Sequence, residues 1–196
     1  MGAGDVGQFV EGQRGMLHSE WNHGAVDARA YILVYRTDPV PEGTAFNALR
    51  DAGAPRYDEG DGVRTKELVG PRSPLWVHGD IRLFAESHLV PGATVALELA
   101  SGGGGLVSIR AGGARIEEGG DGEQLTPDTT LLVPPAGEPR TLRLRATQAT
   151  RLIRVVHGPG NGVSRTLLVG RLVRPAEQPK DVGSGHVEQR TRERPD

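Results

Sequence analysis

Apolar residues along this chain come in short bursts, and most bursts alternate with polar positions. In "RTLRLRA", Leu142 and Leu144 point one way while Thr141, Arg143 and Arg145 point the other. A period of two is the mark of a half-buried strand. "ATVALEL" gathers Val95, Leu97 and Leu99 on one face in the same way. "DIRLFAESHLV" puts Ile81, Leu83, Ala85 and Leu89 on one side and Arg82, Glu86 and His88 on the other. The bursts "VGQFVEG", "RAYILVYR" (Arg29–Arg36), "LVSIRA", "TLLVPP", "RLIRVVH" and "TLLVGRLVR" extend the series.

Between the bursts stand "VPGA", "SGGGG", "AGGA", "GGDGE" and "PPAGEP", which read as hairpin turns. Turn signals every 8–12 residues or so are what a sandwich or barrel shows. A helical period is nowhere convincing; "GTAFNALRDAG" fits one or two turns, ended by Gly53. The pattern predicts a short front piece over 1–36, a connector over 37–74 and a fuller β unit over 75–174. The segment 175–196 is polar and aperiodic, and it is expected to be disordered. The predicted fold class is all-β: a sandwich or barrel preceded by a short front piece. Three strands cannot close a barrel alone, so the front piece must pack on the second unit or borrow strands from another copy. That open edge makes a homodimer an expectation.

Composition narrows the function. The net charge is −2, so no global basic field calls for nucleic acid or an anionic membrane. With no cysteine, disulfides, thiolate metal sites and cysteine nucleophiles are excluded. The opening "MGAGDVGQFVEG" has neither a charged leader nor an apolar stretch, and no run approaches the roughly 20 apolar residues of a membrane helix. A cytoplasmic, soluble protein is the expectation.

Against this background, "QRGMLHSEWN" stands out. On a strand, residues i and i+2 face the same way, so His18 and Glu20 project together while Ser19 turns aside. An imidazole and a carboxylate suit Fe(II) or another first-row divalent ion. A solvated polar pair is the other reading, and spacing alone leaves both open.

The surrounding stretch resembles the pirin family, whose first barrel carries G-D-V-Q-W-M-x-A-G-x-G-x-x-H-x-E. Gly4, Asp5, Val6, Gln8, Arg14, Gly15, His18, Ser19 and Glu20 match, whereas Gly7 resembles an insertion, and Glu11 and Gln13 replace small residues. "GDIRLFAESHLVPGATVALEL" is similar to the start of the family's second barrel, and the likeness runs on through "RLIRVVHG". The resemblance implies a bicupin: two consecutive jelly-roll-like barrels, the first holding a metal, usually iron, through three histidines and one glutamate. His18 and Glu20 would supply two of these ligands, with Glu20 doubling as a catalytic base. The other two come from an H-P-H-x-G stretch that this sequence does not contain. The front piece is therefore expected to be the back end of a first barrel, whose missing donors would have to come from elsewhere. The family implies two kinds of activity. One is iron-dependent dioxygenation of quercetin 2,3-dioxygenase type on a small aromatic, flavonol-like substrate. The other is non-enzymatic, regulatory binding of a protein partner.

The remaining candidates are weaker. His23 lies in the expected turn "NHGA" and is a third donor or a surface residue. Glu86 and His88 share a face with Arg82 and read as a solvated pair. His78 and Asp80 read as turn residues, His157 as a cap on "HGPGNG", and His186 as part of the tail. The glycine clusters lack the Lys-Ser/Thr of a phosphate loop. Arg143, Arg145, Arg151 and Arg154 read as an outward basic stripe, a form of edge protection open to an acidic partner protein.

Overall fold

The structure is a computed structural model. It describes residues 1–13, 25–35, 37, 39–117, 122–160 and 165–172; burial and side-chain statements apply to all of these except 28–29 and 165–172. Among the described residues there are fourteen strands and one 3-10 turn, at Asp51–Gly53. They are β1 (Val6–Val10), β2 (Ala28–Val34), β3 (Ala45–Leu49), β4 (Arg56–Gly60), β5 (Val63–Val69), β6 (Ile81–Leu89) and β7 (Thr94–Leu99). The series continues with β8 (Gly104–Ala111), β9 (Ala114–Ile116), β10 (Gln124–Leu125), β11 (Thr130–Val133), β12 (Arg140–Ala146), β13 (Thr150–His157) and β14 (Arg165–Leu172). The all-β class expected from the alternation is what the chain adopts. The chain divides into two compact units: Met1–Gln8 with Asn47–Gly162, and Phe9–Phe46 with Val163–Asp196.

The first unit holds two antiparallel sheets. One has six strands in the order β11-β8-β13-β6-β5-β4, and the other four in the order β10-β9-β12-β7. Their inner faces meet in one core, with Val95, Leu97 and Leu99 from β7, Leu142 and Leu144 from β12, Val107 and Ile109 from β8, and Leu152 and Val156 from β13. The register follows from the alternation. Leu142 sits opposite Leu97 and Leu144 opposite Val95, so two apolar rows coincide, while Arg143 and Arg145 stay in solvent. A one-residue slip would put the arginines inside. Each fully buried leucine contributes about 1.5–3 kcal/mol. The turn after β8 needs Gly112, whose φ is +80° and where a Cβ would lie 2.2 Å from the carbonyl oxygen of Ala149.

The stretch read as a connector, 37–74, carries β3, β4 and β5, and β5 is an interior strand of the six-stranded sheet. "GTAFNALRDAG" is a strand, Ala45–Leu49, followed by a single 3-10 turn that ends at Gly53, within the one or two turns its spacing allows.

A second apolar cluster joins Val6, Ala54, Leu68, Val69 and Leu75. It is fastened by a polar clasp. Asp5 accepts hydrogen bonds from the backbone N–H groups of Gly2 (2.6 Å) and Asp51 (2.9 Å) and from Arg50 Nη1 (2.7 Å). Lys66 is buried on β5 and donates from Nζ to the Gly4 carbonyl and to Asp51 Oδ1, both at 2.5 Å. The two backbone donors, then Arg50, hold the Asp5 carboxyl well below the ordinary aspartate value of 3.8. A depressed folded-state pKa means stability that is present above the unfolded value and lost as the solution is acidified. The urea midpoint is expected to drop between pH 6 and pH 3, and to drop less in Asp5→Asn. An equal drop in both proteins would remove Asp5 from the explanation.

In the second unit, β2 and β14 pair antiparallel, from Val34 opposite Arg165 to Ala28 opposite Leu172, with a register irregularity after Leu168. The rings of Phe9 and Phe46 lie 4.5 Å apart between centroids.

Candidate functional site

His18, Glu20 and His23 lie outside the described residues, as do His186 and the expected tail 175–196. Among the described residues, no group of three or more His, Asp and Glu side chains is disposed to hold a metal ion.

The other sequence candidates have definite places. His88 Nε2 and Arg151 Nε both lie 3.6 Å from Glu86 Oε1, a partly exposed ion cluster on the sheet surface. The N–H of His78 donates to Gln8 Oε1 at 2.7 Å, and Gln8 Nε2 donates back to the His78 carbonyl at 2.9 Å, so residue 78 is a fastening point in a bend. Asp80 pairs with Arg82 at 3.1 Å, and its carbonyl receives the Gly158 N–H. His157 is buried at the end of β13, with Nδ1 3.0 Å from the Gly158 carbonyl, which fits the expected cap.

The basic stripe is a correction. Arg143, Arg145 and Arg151 are exposed, but Arg154 is only 3% exposed. It lies between Leu152 and Val156 on the face of β13 that belongs to the core. Arg151 and Arg154 are three apart on a strand and so face opposite ways.

Arg154 stands at the polar end of this interior. Its Nη2 donates to Thr65 Oγ1 on β5 at 3.0 Å, and its Nη1 donates to the Ala96 carbonyl of β7 at 3.2 Å. The guanidinium thus ties the six-stranded sheet to the four-stranded one. It is also ion-paired with Glu59, at the end of β4, whose side chain is 27% exposed. Thr65 Oγ1 and Ser87 Oγ, both fully enclosed, are 2.8 Å apart. Arg154 Nε is buried and has no hydrogen-bond partner among the described residues.

Beside this group, Glu67 is a carboxylate only 2% exposed. It accepts from Tyr57 Oη at 3.0 Å and from the N–H groups of Arg72 (2.6 Å) and Ser73 (3.1 Å). The guanidinium of Arg72 lies 3.8 Å from the centroid of the Tyr57 ring. Burial first, then the hydrogen bond and charge of Glu67, push the Tyr57 hydroxyl up to about 12. The cluster of Tyr57, Glu59, Thr65, Glu67, Ser87 and Arg154 escaped sequence reasoning because most of it sits on strands that the charged residues of "RYDEG" and "VRTKELV" disguise.

No family model matches the sequence, and no curated protein matches it. Solved structures do resemble it. Quercetin 2,3-dioxygenase from Acinetobacter baumannii aligns with a TM-score of 0.52 at 14% identity, over 63% of this chain and 42% of that one. GK1651 from Geobacillus kaustophilus aligns with a TM-score of 0.50 at 21% identity, over 61% of this chain and 49% of that one. An RmlC-like cupin from Shewanella frigidimarina aligns with a TM-score of 0.42 at 15% identity, over 56% and 87% of the two chains. The chain spans less than half the length of the first two. Likeness at such identities is likeness of fold, and the fold is of cupin type.

Proposed function

We propose that this chain is a pirin-like cupin protein that works as a non-enzymatic binding module, and that it is not a complete oxygenase by itself. The observation behind this reading is the buried Arg154 guanidinium within the described barrel. Glu59 is ion-paired with Arg154 and the neighbouring Glu67 already accepts three hydrogen bonds, so both carboxylates of this interior are engaged. The donor chemistry of this interior does not fit iron.

Any metal would fall to His18 and Glu20 in the front segment, and two protein ligands are short of the usual three or four for a transition ion. The pairing His18-x-Glu20 favours a second reading, in which donors supplied from outside this chain complete an iron site. The ion would then activate oxygen or a flavonol-like substrate, and Glu20 would serve as base. A regulatory protein partner and a homodimer belong to the first reading, and a cytoplasmic location suits both. Among the described residues no helix is long and apolar enough to cross a membrane.

Metal analysis of the purified chain and of His18→Ala and Glu20→Ala separates the readings. The binding module is expected to carry iron far below one ion per chain, unchanged by either substitution, and to consume no oxygen with a flavonol. Stoichiometric iron lost in both variants, together with flavonol-dependent oxygen uptake, would establish the oxygenase instead.

A further inference from the structure

A charged group inside a packed barrel demands a reason, because apolar side chains of similar volume generally serve stability as well or better. Arg154 has three kinds of partner, and they differ in permanence. The Ala96 carbonyl and the Thr65 hydroxyl belong to β7 and β5, and both residues are held by sheet pairing: Ala96 faces Arg143, and Thr65 lies between Tyr57 and Ser87. They fix the guanidinium whatever Glu59 does.

Glu59 is the replaceable partner. It sits on β4, which among the described residues is the last strand of the six-stranded sheet and pairs with β5 alone. The register slips there, between Asp58 and Gly60, so Glu59 has no partner residue opposite it in the β4–β5 ladder. The hairpin tip beyond it runs through three residues of positive φ: Gly60 (+89°), Asp61 (+50°) and Gly62 (+81°). A carboxylate on a bulged edge strand thus covers the Nη edge of a preset guanidinium, while the Nε donor of that same guanidinium remains unspent. Among the described residues, Arg154 is the buried member of this pair and Glu59 the member that reaches solvent.

We infer that Arg154 is a recognition point for a small organic carboxylate, and that Glu59 is a built-in stand-in for that ligand which the ligand displaces. Arginine matches a carboxylate with two parallel N–H bonds, so the exchange replaces one such pair with another and leaves no buried charge uncompensated. A small acid is the fitting occupant, since only the partly exposed Glu59 side has to move and the guanidinium itself is enclosed. Tyr57 lies two residues before Glu59 on the same strand, and Arg72 packs against its ring. The inference concerns the described barrel alone and holds whether or not His18 and Glu20 bind a metal.

The test is a titration of the isotopically labelled full chain with acetate, using chloride at matched ionic strength as the control, followed by NMR. Saturable shifts are expected at the Arg154 guanidinium and at the amides of Glu59, Gly60 and Thr65, with acetate and not with chloride. Glu59→Gln, a substitution at a partly exposed site, removes the competing charge and is expected to tighten acetate binding by about tenfold. Arg154→Met is expected to abolish the shifts. Unsaturable or chloride-like shifts in the natural chain would overturn the assignment. So would an unchanged affinity in Glu59→Gln, which stays informative even if Arg154→Met fails to fold.

Discussion

Leu144→Ala is expected to lower the unfolding free energy by about 2–5 kcal/mol, the range for truncating an enclosed leucine that leaves its cavity partly open. Leu144 has no exposed surface. It lies opposite Val95 on β7 and Ile116 on β9, so both neighbours of β12 hold it in place and collapse around a shortened side chain is hindered. Urea denaturation measures the loss directly. Leu132→Ala is the matched control, because Leu132 is 61% exposed and its truncation is expected to cost about 0.5 kcal/mol or less. Equal costs at the two positions would contradict the two-sheet core described above.

The second large effect concerns Glu67. Glu67→Ala strips the acceptor from Tyr57 Oη and from two backbone N–H groups at once. Buried donors left without partners cost about 1–3 kcal/mol each when water cannot reach them, and the turn at Arg72 and Ser73 can recover part of this by opening to solvent. A net loss of about 3 kcal/mol is expected. Glu67→Gln keeps an acceptor and is expected to lose less than half as much. The Tyr57 hydroxyl provides an independent readout. Its upward displacement comes first from burial and next from Glu67. In Glu67→Gln the phenol should therefore ionise at lower pH, detected by ultraviolet titration against the natural chain. An unmoved titration with an unmoved stability would sink the assigned role.

The strands that the sequence makes plain are those with one wet face. β12 and β7 alternate cleanly because arginine, threonine and glutamate on one side mark what the leucines and valines on the other side must do. β5 was hidden for the opposite reason. It is enclosed for most of its length, yet two of its enclosed positions are Lys66 and Glu67. Charged residues announce solvent unless fixed partners compensate them, and those partners lie at Gly4, Asp51, Tyr57 and the 72–73 turn, which no local pattern connects. Arg154 was legible in principle. Its odd spacing from Arg151 forbids a shared face, and the flanking Leu152 and Val156 show which face is dry. The metal pair is a different matter: same-side projection of His18 and Glu20 follows from strand geometry only if a strand is there.

The ammonium of Lys66 closing on the carbonyl of Gly4 carries a practical consequence. The first five residues act as a stopper over an amine that has little access to water. Cleavage after Asp5 would uncork it and leave Asp51 as its partner among the described residues. Acylating reagents should therefore reach Lys66 only in molecules whose residues 1–5 have lifted away.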